Sequence, residues 1–536
     1  MTCAMDEKAK RTGGCADPLS AGAVDAGRSE ESGPCSDAPL GDVALIGLGI
    51  STRAAADYLL GPTHARVNSL SIYVGDSPSE RVREQARDLE ARGARIVESS
   101  ELEGTFDLGV ASPGVPATGA FYASAARACR ELVSEPELAW RESPAGWVGI
   151  TGTNGKTTTT TLATALLKGC GIEARAVGNI GLPPIACVEG RKAGEVFVAE
   201  LSSFQLQSAD RLAPHVGVLL NVTPDHVEWH GTLEAYAAAK EKLFARMGAD
   251  DLAVLGDDET CSVVAGRLRA RGVRVAVLGH RPQAGEADAA WVDSDGRLTV
   301  RLAGRDHVLV GVDELRIHGP HNVLNALAAC ACALEMGATD EPLCSALRAF
   351  APLAHRIEPC GEVGGVRFFD DSKGTNVDAT EKAVSSFAPG TFVLLLGGHD
   401  KGTPLEAFAE HCVRSARAVV TYGEAGPRFA QALEDALARA AEAGSPASCV
   451  IERATHMREA CAVALGLARP GDAVLLSPAC SSFDEFSGYV QRGEVFQAWV
   501  AERAGAAGST QGGSDSPDMP SETTGAGAPS APGRAS

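Results

Sequence analysis

Short apolar segments alternate with longer stretches rich in Ala, Leu, Glu and Arg along most of this chain. The apolar segments are DVALIGLGI, SIYVGD, FDLGVAS, GWVGITG, EVFVAEL, VGVLLNV, DLAVLGD, VRVAVLG, TFVLLLGG, AVVTYGE and DAVLLSP. Strands that alternate with helices form mostly parallel sheets covered on both faces, so we predict an α/β fold. RLTVRLAG and HVLVGVDELRIHG have no helical stretch between them, which indicates a small antiparallel insertion.

Two breaks divide this pattern into three units. One lies near Ser143-Pro144, and the other near Pro352, just before the strand-like segment HRIEPCGEVGGVRFFD. We therefore expect three α/β domains at residues 41–143, 144–351 and 352–504, in line with about 150 residues per domain. The tails, residues 1–40 and 505–536, hold too few apolar side chains to offset the entropy of ordering, and we expect them to be disordered.

Composition narrows the classes of function. A formal net charge of −21 disfavours binding to nucleic acid or to an anionic membrane, because the chain lacks the positive field that attracts them. The sequence has neither a signal-peptide pattern nor a long apolar run, so we expect a cytoplasmic protein without membrane insertion. The 15 cysteines are scattered, and the close pair Cys330 and Cys332 lacks a second pair at zinc spacing, which favours free thiols.

A glycine turn follows the first apolar segment. Its sequence, GLGIST from Gly47 to Thr52, resembles the start of a dinucleotide-binding motif with Thr52 in place of the third glycine. Two glycines let the backbone approach a ligand, and Asp76 ends the next segment, where it could accept hydrogen bonds from a ribose or a base. A nucleotide-like ligand and a tight turn without a ligand both remain open at this point.

A second glycine turn carries a stronger signal. The segment GTNGKT, from Gly152 to Thr157, joins the strand-like GWVGIT to the helix-like KTTTTTLATALLKG. Free backbone N–H groups and the positive end of a helix would surround a phosphate there, Lys156 would neutralise its charge, and Thr157 offers a hydroxyl for Mg²⁺. The spacing GxxGKT is shorter than the common GxxxxGKT, and the alternative is an ordinary turn with a surface lysine.

Acidic residues and a histidine follow the next two apolar segments. Glu200 comes directly after FVA, where a carboxylate is costly to bury unless it meets a cation. Asp225 and His226 follow VGVLLNV, and ligands collect at such strand ends in α/β sheets. His226 is interpreted either as a ligand or as a residue that starts a helix, whereas His230 is better explained by a structural role.

Lys240 lies on an apolar face of a predicted helix. Positions 233, 236, 237, 240, 243 and 244 form one helical stripe that is apolar except at Lys240. Lys240 should therefore face inward. A buried ammonium needs a partner or a chemical change, and the alternative is a lysine that extends its amine to solvent.

Nine motifs occur in one order: GITGTNGKTTTT, AELSSFQL, NVTPDHVEWH, AAAKEKLF, GPHNVLNALAA, PLAHRIE, DDSKGTNVDAT, LLLGGHDKG and SPACSSFDEF. This order strongly resembles the Mur ligases over about residues 42–500, and DDSKGTN with SPACSSFDEF points to the glutamate-adding branch. The resemblance implies a Rossmann-like N-terminal domain for a UDP-sugar, a central P-loop ATPase domain and a Rossmann-like C-terminal domain for the amino acid.

The resemblance also implies the reaction and the partners. ATP would phosphorylate the carboxylate of UDP-N-acetylmuramoyl-L-alanine, and the amine of D-glutamate would attack the acyl phosphate, in peptidoglycan precursor synthesis. Family positions that would bind ATP are Gly152, Thr153, Asn154, Gly155, Lys156, Thr157, Thr158, Asn322, Asn325, Arg356 and Asp371. Those that would act in catalysis are Lys156, Glu200, His226, Lys240 and Lys373. Mg²⁺, at two sites, would be held by Thr157, Glu200, His226 and Lys240, the last as a carbamate.

Two further sets of residues match the family's substrate positions. The UDP-sugar set is Ile50, Ser51, Asp76, Ser112 and Asn179, and it lacks the Arg that often follows the acid. The D-glutamate set is Thr375, Lys401, Ser482 and Tyr489, where the family often has Phe in place of the Tyr. We expect a monomer. The competing interpretations are a sibling ligase for another amino acid, a folylpolyglutamate synthase, an amidotransferase-associated relative with a zinc insertion, and a nucleotide-binding scaffold without catalysis.

Overall fold

The computed structural model describes residues 38–61, 64–317, 319–351, 354–400, 402–442, 444 and 448–510. Within them the chain forms three α/β domains in succession, as predicted. Lys401 and most of the two predicted tails lie outside the described residues. Residues 505–510 of the C-terminal tail are helical, because the last helix continues to Thr510.

The N-terminal domain contains a five-stranded parallel sheet. Its strands are β1 (Gly41–Ile46), β2 (Val67–Tyr73), β3 (Arg95–Val97), β4 (Phe106–Ala111) and β5 (Cys129–Ser134). Its helices are α1 (Ile50–Leu59), α2 (Glu80–Ala91), α3 (Ala120–Ala128) and α4 (Glu135–Glu142), with a 3₁₀ turn at His64–Arg66. The strand order β3-β2-β1-β4-β5 places β1 at the centre, so the glycine turn after β1 lies at the middle of the sheet's carboxyl edge.

The central domain is built on a nine-stranded sheet. Its strands are β6 (Trp147–Thr151), β7 (Ala174–Gly178), β8 (Val196–Glu200), β9 (Val216–Leu219), β10 (Leu252–Leu255), β11 (Arg274–Leu278), β12 (Ala289–Val292), β13 (Arg297–Leu302) and β14 (Arg305–Gly311). Its helices are α5 (Lys156–Gly169), α6 (Ser203–Leu206), α7 (Val227–His230), α8 (Leu233–Glu241), α9 (Glu259–Ala270), α10 (Pro320–Glu335) and α11 (Asp340–Ala349), with 3₁₀ turns at Pro184–Cys187, Lys242–Phe244 and Val312–Glu314.

The order of this sheet is β14-β13-β12-β11-β10-β9-β6-β8-β7. The strands from β7 to β12 pair in parallel, while β12, β13 and β14 pair antiparallel. The antiparallel segment predicted from the sequence is therefore a hairpin that extends the edge of the central sheet. All residues of β6 and β8 are buried, as expected for parallel strands covered on both faces.

The C-terminal domain has a six-stranded sheet with the order β15-β16-β20-β17-β18-β19, in which only β15 runs antiparallel to its neighbour. The strands are β15 (Glu358–Val363), β16 (Val366–Asp370), β17 (Phe392–Gly397), β18 (Ala418–Tyr422), β19 (Val450–Arg453) and β20 (Ala473–Ala479). The helices are α12 (Val377–Val384), α13 (Glu406–Ser415), α14 (Gly426–Glu442), α15 (Met457–Leu467) and α16 (Tyr489–Thr510).

Helix α10 contributes the core of the central domain. Cys330 and Cys332 lie fully buried on it among alanines and leucines, and both thiols are free, as predicted. Among the described residues, no helix is both long enough and apolar enough to cross a bilayer.

The end of the N-terminal domain is fixed by a buried ion pair. Glu142, the last residue of α4, accepts hydrogen bonds from Arg66 Nη1 at 2.6 Å and from Tyr58 Oη at 2.8 Å. Its side chain is 2% exposed, so removal of the carboxylate takes a buried acceptor away from both donors.

We predict that Glu142→Ala lowers the free energy of unfolding by about 3 kcal/mol, because it breaks a buried pair and leaves the Arg66 cation behind. Urea denaturation followed by circular dichroism measures the loss, with Glu142→Gln as the milder control. A loss below about 1 kcal/mol, which is typical of an exposed pair, would contradict this account.

Candidate active site

The functional side chains of the central domain converge because of the strand order. β6 lies between β8 and β9, so the loops that follow these three strands meet at one carboxyl edge. They contribute the GTNGKT turn, Glu200, and the pair Asp225 and His226. The three groups that the sequence places far apart therefore surround one cavity.

The GTNGKT turn needs its glycines. Gly155 has φ +84°, and a Cβ at this position would overlap Oδ1 of Asn325 on α10. The turn is held by Asn221, whose Oδ1 accepts from the backbone N–H of Asn154 at 2.8 Å. Lys156 begins α5 and folds its Nζ back to donate to the carbonyl oxygens of Gly152 and Thr153, at 2.9 and 2.7 Å. The turn thus has the form of a phosphate-binding loop.

Lys240 reaches the same turn from behind. Its Nζ donates to the Gly152 carbonyl oxygen at 2.7 Å and lies 4.4 Å from the centre of the Tyr236 ring. The residue is 1% exposed, which confirms that the stripe on α8 faces inward. Burial, and then the nearby Lys156 cation, lower the pKa of Lys240 well below its ordinary value, although Asp225 opposes the shift. The charged ammonium form of Lys240 is therefore less stable here than in water.

Glu200 ends β8 with a carboxylate that is only half satisfied. Oε1 accepts from Asn179 Nδ2 at 2.9 Å, whereas the buried Oε2 has no hydrogen-bond partner among the described residues. The carboxylate lines the cavity together with Thr157. An unpartnered carboxylate oxygen and a hydroxyl are oxygen ligands of the kind that Mg²⁺ prefers, so this part of the cavity fits a magnesium ion.

His226 lies at the rim of the cavity just before α7. It adopts φ +53°, its Nε2 is 3.6 Å from Asp225 Oδ2, and its ring centre is 4.8 Å from that of Phe204. The residue therefore both precedes a short helix and lines the cavity, so the two alternatives left by the sequence are compatible. His230 instead packs against Phe204 and bonds to Ser203 Oγ at 3.0 Å.

The C-terminal domain closes the cavity from the opposite side. Asn154 Nδ2 donates to Asp378 Oδ2, and Asn376 Nδ2 donates to Asp225 Oδ2 at 3.4 Å. Lys373 Nζ lies 3.5 Å from Thr157 Oγ1. The phosphate-binding turn is thus in direct contact with the first turn of α12 and with the loop after β16.

Charges from both domains perturb one another in this space. Burial, and then Arg356, lower the pKa of Lys373 to about 8. Burial raises the pKa of Asp371 to about 7, although a hydrogen bond from Ser477 and the Arg356 charge oppose it. Burial likewise lowers the pKa of Arg356, whose Nε has no hydrogen-bond partner among the described residues. Such a concentration of desolvated charges is typical of a site that binds a highly charged ligand.

The cavity has a volume of about 770 Å³, which is in the range of nucleotide and cofactor sites. Asn322 and Asn325 lie at its α10 side, where Asn325 Nδ2 donates to Asn322 Oδ1 at 3.0 Å. The sequence-predicted residues that line it are Thr153, Asn154, Gly155, Lys156, Thr157, Thr158, Asn179, Glu200, His226, Asn322, Asn325, Arg356, Asp371, Lys373, Thr375 and Tyr489. Gly152 and Lys240 lie directly behind it.

Several lining residues were missed by the sequence analysis. These are Asn221, His321, Asn376, Asp378 and Lys382. Asn221 follows β9, so its position at a strand end was a signal that could have found it. Asp378 and Lys382 lie one helical turn apart on α12, and their 3.0 Å ion pair resembles any surface i,i+4 pair in the sequence. Only the packing of the C-terminal domain against the central domain places this ion pair in the cavity.

The predicted UDP-sugar residues fall into two places. Ile50, Ser51, Asp76 and Ser112 lie near the carboxyl ends of β1, β2 and β4 in the N-terminal domain. Asp76 accepts from both the backbone N–H and the hydroxyl of Ser100, which lowers its pKa. Thr52 replaces the third glycine by bonding back to the Gly49 N–H at 2.9 Å, which caps α1. Asn179 lies instead beside Glu200 in the central cavity.

The predicted D-glutamate residues are also divided. Thr375 and Tyr489 line the central cavity, and Lys373 Nζ lies 5.1 Å from the centre of the Tyr489 ring. Ser482 is 2% exposed and is not among the residues that line this cavity. Lys401 lies outside the described residues. The cavity therefore unites only part of this set.

Comparison with known proteins agrees with the motif order. A family model for the Mur ligase middle domain matches residues 150–333, and a model for the Mur ligase, glutamate ligase domain, matches residues 355–480. A relative from Pelotomaculum thermopropionicum named UDP-N-acetylmuramoylalanine–D-glutamate ligase is 43% identical over 394 residues, which cover 74% of this chain and 83% of the relative. One of the same name from Geobacillus kaustophilus is 36% identical and covers 85% of this chain and 96% of the relative.

Solved structures share the fold. A MurF ligase from Thermotoga maritima, solved in complex with ADP, has a TM-score of 0.51 at 16% identity, with 83% of this chain and 96% of that chain covered. At this identity the likeness supports the three-domain fold and no finer statement.

The titration of Lys373 gives a prediction for nucleotide binding. With a pKa of about 8, Lys373 is charged below pH 8 and loses its proton above it, while a bound phosphate would hold the proton. We expect the affinity for a non-hydrolysable ATP analogue to be full below pH 8 and to fall as the pH rises to about 9.5. Isothermal calorimetry measures it. Lys373→Met should bind the ATP analogue more weakly at pH 7, and its affinity should no longer fall near pH 8. If the variant keeps the pH profile of the wild type, the fall in affinity belongs to another group.

Proposed function

The chain belongs to the Mur ligase family, and on this premise we propose that it joins D-glutamate to UDP-N-acetylmuramoyl-L-alanine as ATP is converted to ADP and phosphate. The observation that carries this proposal is the cavity between the central and C-terminal domains, in which a phosphate-binding turn faces cations from the domain matched to the glutamate ligase model. The reaction belongs to cytoplasmic peptidoglycan precursor synthesis. A monomer suffices, because residues of one chain line both sides of the cavity.

A carboxylate is a poor electrophile, so the reaction needs a leaving group on it. The alanyl carboxylate oxygen attacks the γ-phosphorus of ATP and ADP departs, which gives an acyl phosphate. The amine of D-glutamate then attacks the acyl carbon, phosphate leaves, and the nitrogen loses a proton to give the amide. Both substrates of the first step are anions, so the protein must neutralise charge where they meet.

The residues of the cavity match that requirement. Lys156 and the N–H groups of the GTNGKT turn would hold the β- and γ-phosphates, and Arg356 and Lys373 would approach the transferred phosphoryl group from the C-terminal domain. Asn322, Asn325 and Asp371 would bind the adenosine portion. Thr157, Glu200 and His226 would hold Mg²⁺, which supplies positive charge that screens the phosphate oxygens.

The two remaining substrates would bind at the outer parts of the site. Ile50, Ser51, Asp76 and Ser112 form a group at one sheet edge that would hold the UDP portion, while Asn179 would contact the reacting end beside Glu200. Thr375 and Tyr489, together with Ser482 and Lys401, would receive D-glutamate. One cation and hydroxyl groups suit a dicarboxylate.

We propose that Lys240 acts as a carbamate. Burial lowers the pKa of Lys240 and so increases the share of neutral amine, which can add to CO₂ by forming an N–C bond and releasing one proton, and the product is an anion. The remaining N–H can still donate to the Gly152 carbonyl oxygen. The new negative charge would attract Lys156, where the ammonium would repel it.

The choice of amino acid tests the proposed reaction. We expect ATP- and Mg²⁺-dependent phosphate release with UDP-N-acetylmuramoyl-L-alanine and D-glutamate, and formation of the matching amide detected by mass spectrometry. L-Glutamate, L-lysine and folate substrates serve as controls. Equal or faster product formation with any of these controls would contradict the assignment of D-glutamate as the substrate.

Variants of Lys240 test the carbamate. Lys240→Ala should lose activity that a small carboxylic acid in the medium partly restores, because the acid can occupy the vacated anionic position. Growth or assay with ¹³C-bicarbonate should give a carbamate signal in the NMR spectrum of the wild type. Lys240→Arg keeps a cation and cannot carbamylate; if it ligates D-glutamate at the wild-type rate, Lys240 is a structural cation.

A further inference from the structure

A second cluster of titratable side chains lies behind the C-terminal side of the cavity. His355, Glu358 and Asp370 bring ligand-type atoms within 4.8 Å of one another. His355 Nδ1 is 2.7 Å from Asp370 Oδ2, and the Asp370 side chain has no exposed surface. None of the three was singled out in the sequence, and the proposed reaction does not use them directly.

The contacts of the two carboxylates describe a hydrogen-bond network. Gln497 Nε2 donates to Glu358 Oε2 at 3.0 Å and to Asp370 Oδ2 at 2.9 Å. The His355 backbone N–H donates to Glu358 Oε2 at 2.8 Å. The Ser372 backbone N–H donates to Asp370 Oδ1 at 2.8 Å. Protein donors thus reach Glu358 Oε2 and both oxygens of Asp370, so hydrogen bonds within the protein account for these contacts.

This network is in contact with the catalytic side chains through the backbone. His355 directly precedes Arg356, and Asp370 directly precedes Asp371. The Lys373 backbone N–H donates to the His355 carbonyl oxygen at 3.2 Å. Arg356 lies on one chain segment, and Asp371 and Lys373 lie on another. The His355–Asp370 pair joins these two segments, so it determines how they are placed relative to each other.

The backbone on either side of Arg356 is strained. His355 has φ +60° and Ile357 has φ +46°, and a left-handed conformation is unfavourable for a β-branched residue such as Ile. Specific bonds hold it in place: the Ile357 N–H donates to Asp371 Oδ1 at 3.3 Å, and the His355 side chain is tied to Asp370. Without these bonds the segment would relax and Arg356 would move.

One face of α16 supports the whole arrangement. At Gly493 a Cβ would overlap His355 Nδ1 and lie 2.6 Å from Asp370 Oδ2, so only glycine allows the pair to approach the helix. Gln497, one turn after Gly493, donates to the carboxylates of Glu358 and Asp370. Arg492, the residue before Gly493, donates to the Ser372 carbonyl oxygen at 2.8 Å. Gly493 and Gln497 are four residues apart, so these two positions share a face of the helix.

We propose that Gln497 and Gly493 are positioning residues: through the His355–Asp370 pair they hold Arg356 and Lys373 in the geometry that nucleotide binding and phosphoryl transfer require. The proposal rests on the proposed function for the role of Arg356 and Lys373. It assigns to α16, whose first residue Tyr489 lines the cavity, the further task of positioning these two cations.

The test uses Gln497→Met, which keeps the side-chain volume and removes both donated hydrogen bonds. The control is Gln491→Met, since Gln491 is an exposed glutamine on the same helix that bonds only locally to Ser487. Calorimetry with a non-hydrolysable ATP analogue, steady-state kinetics and thermal unfolding are measured on the full chain. The calorimetry does not depend on which amino acid the enzyme uses.

We expect Gln497→Met to lower the affinity for the ATP analogue and kcat by about 10-fold each, because small displacements of charged groups are costly at a reacting centre. The KM for UDP-N-acetylmuramoyl-L-alanine should stay within about twofold, since its site is not displaced. Gly493→Ala should behave in the same way, and Gln491→Met should match the wild type.

Three results would overturn the proposal. The first is wild-type affinity and kcat in folded Gln497→Met; should that variant not fold, Asp370→Asn is judged by the same criterion. The second is a loss of activity that only tracks the unfolded fraction. The third is a stoichiometric metal ion in the wild type that Asp370→Asn removes. A wild type that binds the ATP analogue but does not use D-glutamate contradicts the proposed function alone.

Discussion

The Nζ atoms of two lysines converge on the carbonyl oxygen of Gly152, and the rest of the site is arranged around this buried point. Lys156 approaches from the start of α5 and Lys240 from α8. Burial, and then the Lys156 cation, lower the pKa of Lys240. Glu200 and Asp225 provide partial compensation at neighbouring strand ends. The remaining positive charge and the N–H groups of the GTNGKT turn would attract an anion to this edge of the sheet.

The C-terminal domain adds to the positive charge, because it brings further cations into the same cavity. Arg356 and Lys373 are both desolvated, and the Arg356 charge adds to the effect of burial in lowering the pKa of Lys373. Such groups stay in place only if the backbone carrying them is held firmly, since mutual repulsion would otherwise separate them. The bonded network of His355, Asp370 and Gln497 meets that need with side chains that never touch the cavity.

The two domains meet through polar contacts, and this makes the cavity responsive to its contents. Asn154 bonds to Asp378, whose charge is also shared with Lys382. A phosphate bound in the turn would lie next to this contact, so occupancy and domain contact influence each other. The N-terminal and central domains also meet through hydrogen bonds: Gln207 donates to the Val115 carbonyl oxygen at 3.1 Å, and Glu135 accepts from the Ile185 N–H at 2.8 Å.

The sequence by itself determined the features that depend on neighbours in the chain. The strand-turn-helix of GTNGKT, the buried strands β6, β8 and β9, and the inward face of Lys240 all follow from local spacing and periodicity. Strands β3, β5, β7, β12 and β19 were not predicted: four of them are edge strands, which are covered on fewer sides, and β12 is an interior strand of only four residues. The tertiary structure alone decided that Asn179 meets Glu200, that Asp378 reaches Asn154 and that Gly493 admits His355. Each of these contacts joins separate elements, so its existence depends on how sheets and domains pack, and no repeating pattern along the chain encodes it.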